Sequence, residues 1–293
     1  MSHKAGFVSI IGKPNVGKST LINELVGEKL SIITAKAQTT RHRILGIVSD
    51  ENYQVIFSDT PGIIKPKYLL HERMMGSVEQ SLQDGDLLLL VIAWDEKQLD
   101  EEVLKRLQKN KAPVIGVLNK VDLATSQQEV VDRTEQLKKE INCLDFVAVS
   151  AKEKFNTKRV FQLILEHLPE SPAFFPKDQF TDRPERFFAS EIVREKIFMY
   201  LREELPYSCE VEIMEFKEEE NIIRIYADIY VMRDSQKIIL IGAGGRNLKK
   251  IGTEARKDLE AFFNKKVYLE QHVKVRDNWR DDTNYLKSFG YTE

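Results

Sequence analysis

Gly12-Lys13-Pro14-Asn15-Val16-Gly17-Lys18-Ser19 has the residue types and the spacing to hold a chain of phosphates. The pattern G-x-x-x-x-G-K-[ST] works through the backbone, because Gly12 and Gly17 let N–H groups converge on an anion with no Cβ in the way. A helix beginning directly after the loop adds its dipole and its unpaired N–H groups. Lys18 is spaced to reach the β- and γ-phosphates, and the Ser19 hydroxyl, with Thr20 beside it, to take a place on Mg²⁺. A structural Gly-rich turn could carry the same letters by chance, so the meaning of this loop depends on the motifs downstream of it.

Asn119-Lys120-Val121-Asp122 closes an apolar run and would choose the base. A carboxylate at Asp122 can accept two hydrogen bonds, from N1–H and the exocyclic amine of guanine, while Asn119 and the Lys120 stem hold the ring and the loop. Adenine presents an acceptor at one of these positions and would leave a buried carboxylate unpaired, a mismatch that can discriminate by roughly 10⁴-fold or more. Ser150-Ala151-Lys152, at the end of the next apolar run, fits a loop whose backbone backs the guanine O6 and whose Lys152 stacks on the base. Together these motifs point to GTP and GDP.

Two segments between them could sense the γ-phosphate. Leu30 to His42 is polar and lacks helical periodicity, and its Gln38-Thr39-Thr40-Arg41 offers a Thr to close over Mg²⁺ and the γ-phosphate. Thr39 and Thr40 both qualify, and Thr40 is favoured. Asp59-Thr60-Pro61-Gly62 is a D-x-x-G at a strand end: Asp59 suits Mg²⁺, and the Gly62 N–H can meet the γ-phosphate, so loss of that phosphate would release the adjoining loop. Residue 63 is Ile, where many enzymes of this chemistry place a Gln that orients the attacking water. Hydrolysis should therefore be slow and rest on Lys18, Thr40, Gly62 and Asn15, with Asn15 expected to hold a monovalent cation such as K⁺ near the phosphates.

The elements that must position these residues follow from the patterning. Phe7 to Ile11, Leu87 to Trp94 and Pro113 to Leu118 are continuous apolar runs of the kind buried in parallel sheets. Arg43 to Ser49 and Asn52 to Ser58 read as strands, and Phe146 to Val149 as another. Helices are expected over Thr20–Val26, Glu101–Lys109, Gln127–Asn142 (Val130, Val131, Leu137 and Ile141 inward) and Thr157–Leu168. Strands alternating with helices, with the motifs at the carboxyl ends of strands, give an open, doubly wound α/β domain over residues 1–169.

The whole chain has 293 residues, 42% hydrophobic and 31% charged, with a net charge of −2. That suffices for two domains and argues against a globally nucleic-acid-like charge. Cys143 and Cys209 show no metal spacing and read as reduced thiols. Met1 to Gly6 runs straight into a strand, with no signal-peptide pattern. No apolar run approaches the roughly 20 residues of a membrane span.

Residues 170–184, with Pro172, Pro176 and Pro184, read as a linker, and residues 185–293 as a second domain. A long helix is expected from Glu185 to Leu205, then alternating strands over Cys209–Phe216 and Ile222–Val231. A turn at Asp234–Lys237, a helix from about Arg246 to Phe263 and a strand over Val267–Val275 complete it. Gly242-Ala243-Gly244-Gly245 is a G-x-x-G, the loop by which KH domains clamp single-stranded RNA. A second dinucleotide site fails, because the sixth position is Asn247 and no βαβ unit comes after it. From Lys237 to Arg276, ten Lys and Arg face four acids, and Arg246, Lys249 and Lys250 lie nearest the loop. The order of elements suits a smaller α+β domain of the type II KH arrangement.

A domain with K-P-N-V-G-K-S, Q-T-T-R, D-T-P-G, N-K-x-D and S-A-K, followed by a KH-like domain, resembles the bacterial Era GTPases. The likeness runs over nearly the whole chain, including Ser190 to Lys196 and the closing Phe289-Gly290-Tyr291. It implies a cytoplasmic, partly membrane-associated GTPase that binds the 3′ end of 16S rRNA and assists small ribosomal subunit assembly, and an apolar residue after D-x-x-G, as at Ile63. Two places depart from the family pattern: the loop is Gly-Ala-Gly-Gly where a Lys commonly precedes the last glycine, and Gln271-His272 replaces a more apolar-aromatic pair near the final strand. Two other classes stand beside this one. A passive RNA-binding assembly factor would keep its nucleotide as structure, and an RNA-modifying enzyme would need a second catalytic constellation. None is evident: His3, His42, His71, His167 and His272 are scattered. The chain is expected to be a monomer.

Overall fold

The run from Leu87 to Ala93 is buried at every position, which a strand achieves only when both faces are covered. In the computed structural model, which describes residues 3–34 and 36–291, this strand lies inside a six-stranded sheet. Met1, Ser2, Ala35, Thr292 and Glu293 lie outside the described residues, and the expectation that the chain opens without a leader falls partly on the first two. The chain divides into two units, Met1–Lys67 with His71–Asp182, and Tyr68–Leu70 with Arg183–Glu293.

The first unit contains β1 (Lys4–Ile11), α1 (Lys18–Val26), β2 (Ile44–Ser49), β3 (Tyr53–Asp59), α2 (Leu69–Asp84, from His71 onward), β4 (Leu87–Ala93), α3 (Glu101–Lys109), β5 (Val114–Asn119), α4 (Gln127–Glu140), β6 (Asp145–Ala148) and α5 (Thr157–His167). The strands lie in the order β2-β3-β1-β4-β5-β6, all parallel except β2, which pairs antiparallel with β3. β1 therefore has β3 on one side and β4 on the other. Loops leaving the carboxyl ends of such strands diverge and open a crevice, the usual ligand site of a doubly wound sheet.

Two local readings need correction. α4 turns Leu137 inward but leaves Val131 exposed, since Val131 lies about 100° round the helix from the half-buried Val130. α2 is not among the helices expected from the sequence, although Leu70, Met74, Val78 and Leu82 recur at helical spacing and are buried. The stretch 170–182 has no helix or strand of its own and bends at Phe174 and turns at Pro176–Gln179, but it is anchored along the first unit. The Gln54 side chain accepts from the Phe174 and Phe175 N–H groups at 2.7 and 2.9 Å and donates to the Phe175 carbonyl at 2.8 Å. Ile47 N–H, on the edge strand β2, donates to the Phe180 carbonyl at 2.8 Å, and Phe174 meets Phe7 edge-on at 5.3 Å. Its aromatic and backbone groups cover an edge that would otherwise expose unpaired donors.

The second unit contains α6 (Glu185–Tyr200), β7 (Glu210–Glu218), β8 (Ile222–Val231), α7 (Asp234–Ile241), α8 (Arg246–Phe263), β9 (Lys266–Val275) and α9 (Thr283–Ser288). Its sheet has the order β7-β8-β9, antiparallel then parallel. Alternate residues of β8, Ile223, Ile225, Ala227, Ile229 and Val231, pack with Ile192, Val193, Ile251, Ala255 and Leu259 from the helices into one core. α6 ends at Tyr200, short of the expected Leu205, although Leu201 and Leu205 stay buried. Asp234 to Lys237, expected as a turn, is the first turn of α7: Gln236 Oε1 accepts from the Met232 and Arg233 N–H groups and caps it. Only Leu240 of α7 is buried, so the segment lacks the apolar stripe by which a helix is read from sequence.

Candidate nucleotide-binding site

The loop between β1 and α1 has the backbone an anion cradle requires. Gly12 and Gly17 hold φ of +151° and +96°, and a Cβ would run into the Val91 carbonyl at the first and the Asn119 amide at the second. Lys18 Nζ folds over its own loop, donating to the Gly12 and Lys13 carbonyls at 3.2 and 2.8 Å. Burial pushes this amine down to about 8, opposed by the negative charges of Asp59 and Glu96. A buried, partly desolvated ammonium ringed by backbone dipoles is a strong partner for a polyphosphate.

Three oxygens from three segments converge beside it. Ser19 Oγ donates to Asp59 Oδ2 at 3.0 Å and lies 2.9 Å from Thr40 Oγ1. Asp59 is fully buried, and its Oδ1 carries no hydrogen bond. Burial pushes its carboxyl up, against the pull of Ser31, Lys18 and Ser19. Hard oxygen donors with one unsatisfied carboxylate oxygen fit Mg²⁺. Thr39 is engaged elsewhere, 2.6 Å from Thr34 Oγ1 and donating to the Lys36 carbonyl at 2.8 Å. Of the two threonines, Thr40 is the one at the oxygen cluster.

The D-x-x-G loop abuts the phosphate loop. A Cβ on Gly62 would meet Pro14 backbone atoms at 2.6–2.7 Å, and Ile63 N–H donates to the Gly12 carbonyl at 3.1 Å. Thr60 Oγ1 donates to the Ile10 carbonyl at 2.8 Å and fixes the loop on β1. The Ile63 side chain is buried and brings no polar group to the site.

At the base end, Asn119 ties three loops together. Its Nδ2 donates to the Val16 carbonyl at 2.9 Å, and its Oδ1 accepts from the Ala151 N–H at 3.0 Å. Ser150 Oγ donates to Asp122 Oδ1 at 2.6 Å. Lys120, with φ of +64°, directs its amine to Asp95 at 3.7 Å. Lys152 is exposed, and its hydrogen bond to Glu153 holds its pKa up.

These groups share a cavity of about 680 Å³, enough for a nucleoside triphosphate. Pro14, Asn15, Gly17, Lys18, Ser19, Thr20, Thr39, Thr40, Gly62, Asn119, Lys120, Asp122, Ala151 and Lys152 all line it. Gly12, Val16, Asp59, Thr60 and Ser150 support the wall through the contacts above, and Pro61 is buried between Thr60 and Gly62. The Lys13 side chain turns to Glu96 at 3.2 Å and Asp100 at 3.7 Å. Gln38 lines the cavity too, and sequence reasoning did not single out Ile32, Ile33, Thr34, Lys36 or Leu123, which complete the wall. The first four lie in the Leu30–His42 segment but outside its Gln38-Thr39-Thr40-Arg41 motif, and only their place between α1 and the Thr pair points to them.

In the second unit, Gly242 to Gly245 form the turn between α7 and α8, with φ of +72° at Gly242, +60° at Gly244 and +77° at Gly245. A Cβ at Gly244 or Gly245 would meet nothing within 4 Å, so the loop offers bare backbone to the exterior. Arg246, Lys249 and Lys250 lie at the start of α8, with Lys249 and Lys250 exposed. Arg246 Nε donates to the Ala243 carbonyl at 3.2 Å, and Lys250 lies 4.3 Å from the Tyr200 ring centre. Ile238 and Ile239 of α7, 71% and 56% exposed, supply an aliphatic surface beside the loop.

Residues 7–120 match the family model of 50S ribosome-binding GTPases, and residues 204–280 that of the KH domain. GTPase Era of Staphylococcus haemolyticus is 43% identical over 294 residues, covering 99% of this chain and 98% of that protein. A crystal structure of Era in complex with MgGDPNP and nucleotides 1506–1542 of 16S ribosomal RNA superposes with a TM-score of 0.95 at 42% identity, covering 99% of this chain and 100% of that one. A variant of Aquifex aeolicus Era bound to GDP·AlF4⁻ gives 0.94 at 40% identity, with the same coverage.

Proposed function

The chain belongs to the Era family of GTPases, and from that premise we propose that it is a nucleotide-controlled switch that binds the 3′ end of 16S rRNA and assists small ribosomal subunit assembly. Its GTPase activity and its use of GTP, GDP and Mg²⁺ come with the family. The RNA reading rests on one observation above the rest: the relative solved with both MgGDPNP and 16S nucleotides 1506–1542 matches this chain over 99% of its length. The bare glycine turn flanked by Arg246 and Lys249 supports it.

The chemistry assigns each group a task. Loop N–H groups and Lys18 hold the β- and γ-phosphates, and Asp122 and Asn119 select guanine. Mg²⁺, held by Ser19, Thr40 and Asp59, would supply charge neutralisation between those phosphates. Gly62 N–H donates to a γ-phosphate oxygen; once the bond to that phosphoryl group is broken, the donor loses its acceptor and the segment after Gly62 is released. With a buried Ile63, no side chain there orients water, so turnover is slow and depends on positioning. Asn15, with φ of +64° on the cavity wall, would hold K⁺ near the phosphates.

We extend the reading to a cytoplasmic monomer with at most peripheral contact with the inner face of the cell membrane. No helix among the described residues is long and apolar enough to cross a membrane. The alternative, a passive RNA-binding factor with a structural nucleotide, is favoured only by the missing water-orienting residue. Measured GTP turnover and nucleotide exchange separate the two: a nucleotide that neither turns over nor exchanges would leave the passive reading standing.

A further inference from the structure

We propose that His71 is a positioning residue for GTP hydrolysis, tying the segment that carries Thr40 to the helix that continues from Gly62. His71 stands in the first turn of α2, 3% exposed, and its Nε2 lies 3.0 Å from Gln38 Oε1. The amide oxygen is an acceptor, so the imidazole donates. Nothing in the nucleotide motifs calls for a histidine there.

Gln38 is where the segment bends. Its φ of +57° is a backbone conformation that side chains other than glycine rarely adopt, so it needs bracing from its surroundings. Thr39 braces it from within, through Thr34 and the Lys36 carbonyl. His71 braces it from outside, through the Gln38 side chain. Two residues on, Thr40 reaches Ser19 at 2.9 Å, and Ser19 reaches Asp59 at 3.0 Å. Asp59 leads along the chain through Gly62 to His71, nine residues beyond that glycine. The contacts close a ring through both γ-phosphate-sensing segments, and His71 is the member of it that lies outside the nucleotide motifs. Release at Gly62 would shift α2 and draw on Gln38, so that Thr40 leaves the oxygen cluster in the same event.

The test compares His71→Ala, Gln38→Ala and the double variant, with affinities for GDP and for a non-hydrolysable GTP analogue in Mg²⁺ and single-turnover hydrolysis rates. GDP has no γ-phosphate for Thr40 to close over, so a positioning role weakens the analogue and leaves GDP unchanged. Each single variant should lose about fivefold in analogue affinity and in rate, and the double variant no more than either alone. His71→Asn, which keeps a donor, should recover part of the loss. Equal losses for GDP and analogue would reduce His71 to core filling and overturn the proposal, as would no loss, or losses that multiply to about 25-fold in the double variant. Should His71→Ala fail to fold, His71→Phe, which fills the space without a donor, takes its place, because Gln38 also lines the cavity; a loss confined to the analogue supports the proposal and any other result overturns it. The proposal rests on the GTPase activity of the family; an unmodified chain that turns over no GTP would fail that activity and is distinguished by the control.

Discussion

Ser150 Oγ donates to Asp122 Oδ1 at 2.6 Å, fixing the rotamer of a carboxylate that sits on an exposed turn. A carboxylate has lone pairs for about four hydrogen bonds, so the contact leaves room for both guanine donors. It pre-orients the carboxylate for them, and side-chain entropy is not lost again on binding.

Ser150→Ala should therefore weaken GTP and GDP alike by about fivefold, since only the base end is touched. Asp122→Asn replaces an acceptor face with a donor and should cost about 10²-fold or more. Titration with a fluorescent guanine nucleotide reads both. A Ser150 effect confined to GTP would contradict this role.

Thr40→Ala should lower affinity for a GTP analogue, weaken its Mg²⁺ dependence and slow hydrolysis by about tenfold or more, while GDP affinity holds. Thr39→Ala loosens the bend through Thr34 and Lys36 and should cost less. Mg²⁺ titrations of the two variants would show which hydroxyl matters, and the reverse ranking would move the assignment to Thr39.

Asn15→Ala should abolish any preference of turnover for K⁺ over Na⁺. Equal rates in the two salts for the unaltered chain would remove the monovalent-cation reading of Asn15.

Burial pushes the Cys143 thiol up to about 12. In the folded chain it is almost all thiol at pH 8, so alkylation should be far slower than for a free cysteine. The unfolded chain ionises this thiol near pH ~8.5. Its contribution to stability is thus full below that pH and is lost as pH rises towards about 12. Timed alkylation near pH ~8, native against denatured, tests this; equal rates would contradict it.

Much of the nucleotide site was legible because its chemistry needs fixed local spacing. Lys18 must follow Gly17, and Asp122 must follow Asn119 by three, so these motifs are written in consecutive residues. The contacts that join them are not. Asn119 holds Val16 across 103 residues and Ala151 across 32, and Ser150 holds Asp122 across 28. Such contacts follow from the order of β1, β5 and β6 in the sheet, which no single stretch encodes. The choice between Thr39 and Thr40 had the same character, since it turns on the bend at Gln38. α7 escaped notice because its buried stripe is one residue, Leu240, and its cap is the side chain of Gln236. The proline-rich stretch before Arg183 has the composition of a linker, while Gln54, which anchors it, lies 120 residues upstream of Phe174.

In the second unit, Arg246→Ala and Lys249→Ala should weaken RNA binding across sequences and each reduce the salt slope by about one. Gly244→Asp adds a charge where the backbone is bare and should cost more. Binding curves at several salt concentrations distinguish these from effects on folding, and unchanged slopes would move the RNA surface away from this loop.

The most direct test of the switch is the affinity for a short single-stranded RNA from the 3′ end of 16S rRNA, measured with GDP, with a non-hydrolysable GTP analogue and with no nucleotide. A switch predicts affinities that differ several-fold between the nucleotide states, with the same factor appearing in reverse as an RNA effect on nucleotide affinity. Tight RNA binding that is identical in all three conditions would contradict the account and leave two domains that share a chain without coupling.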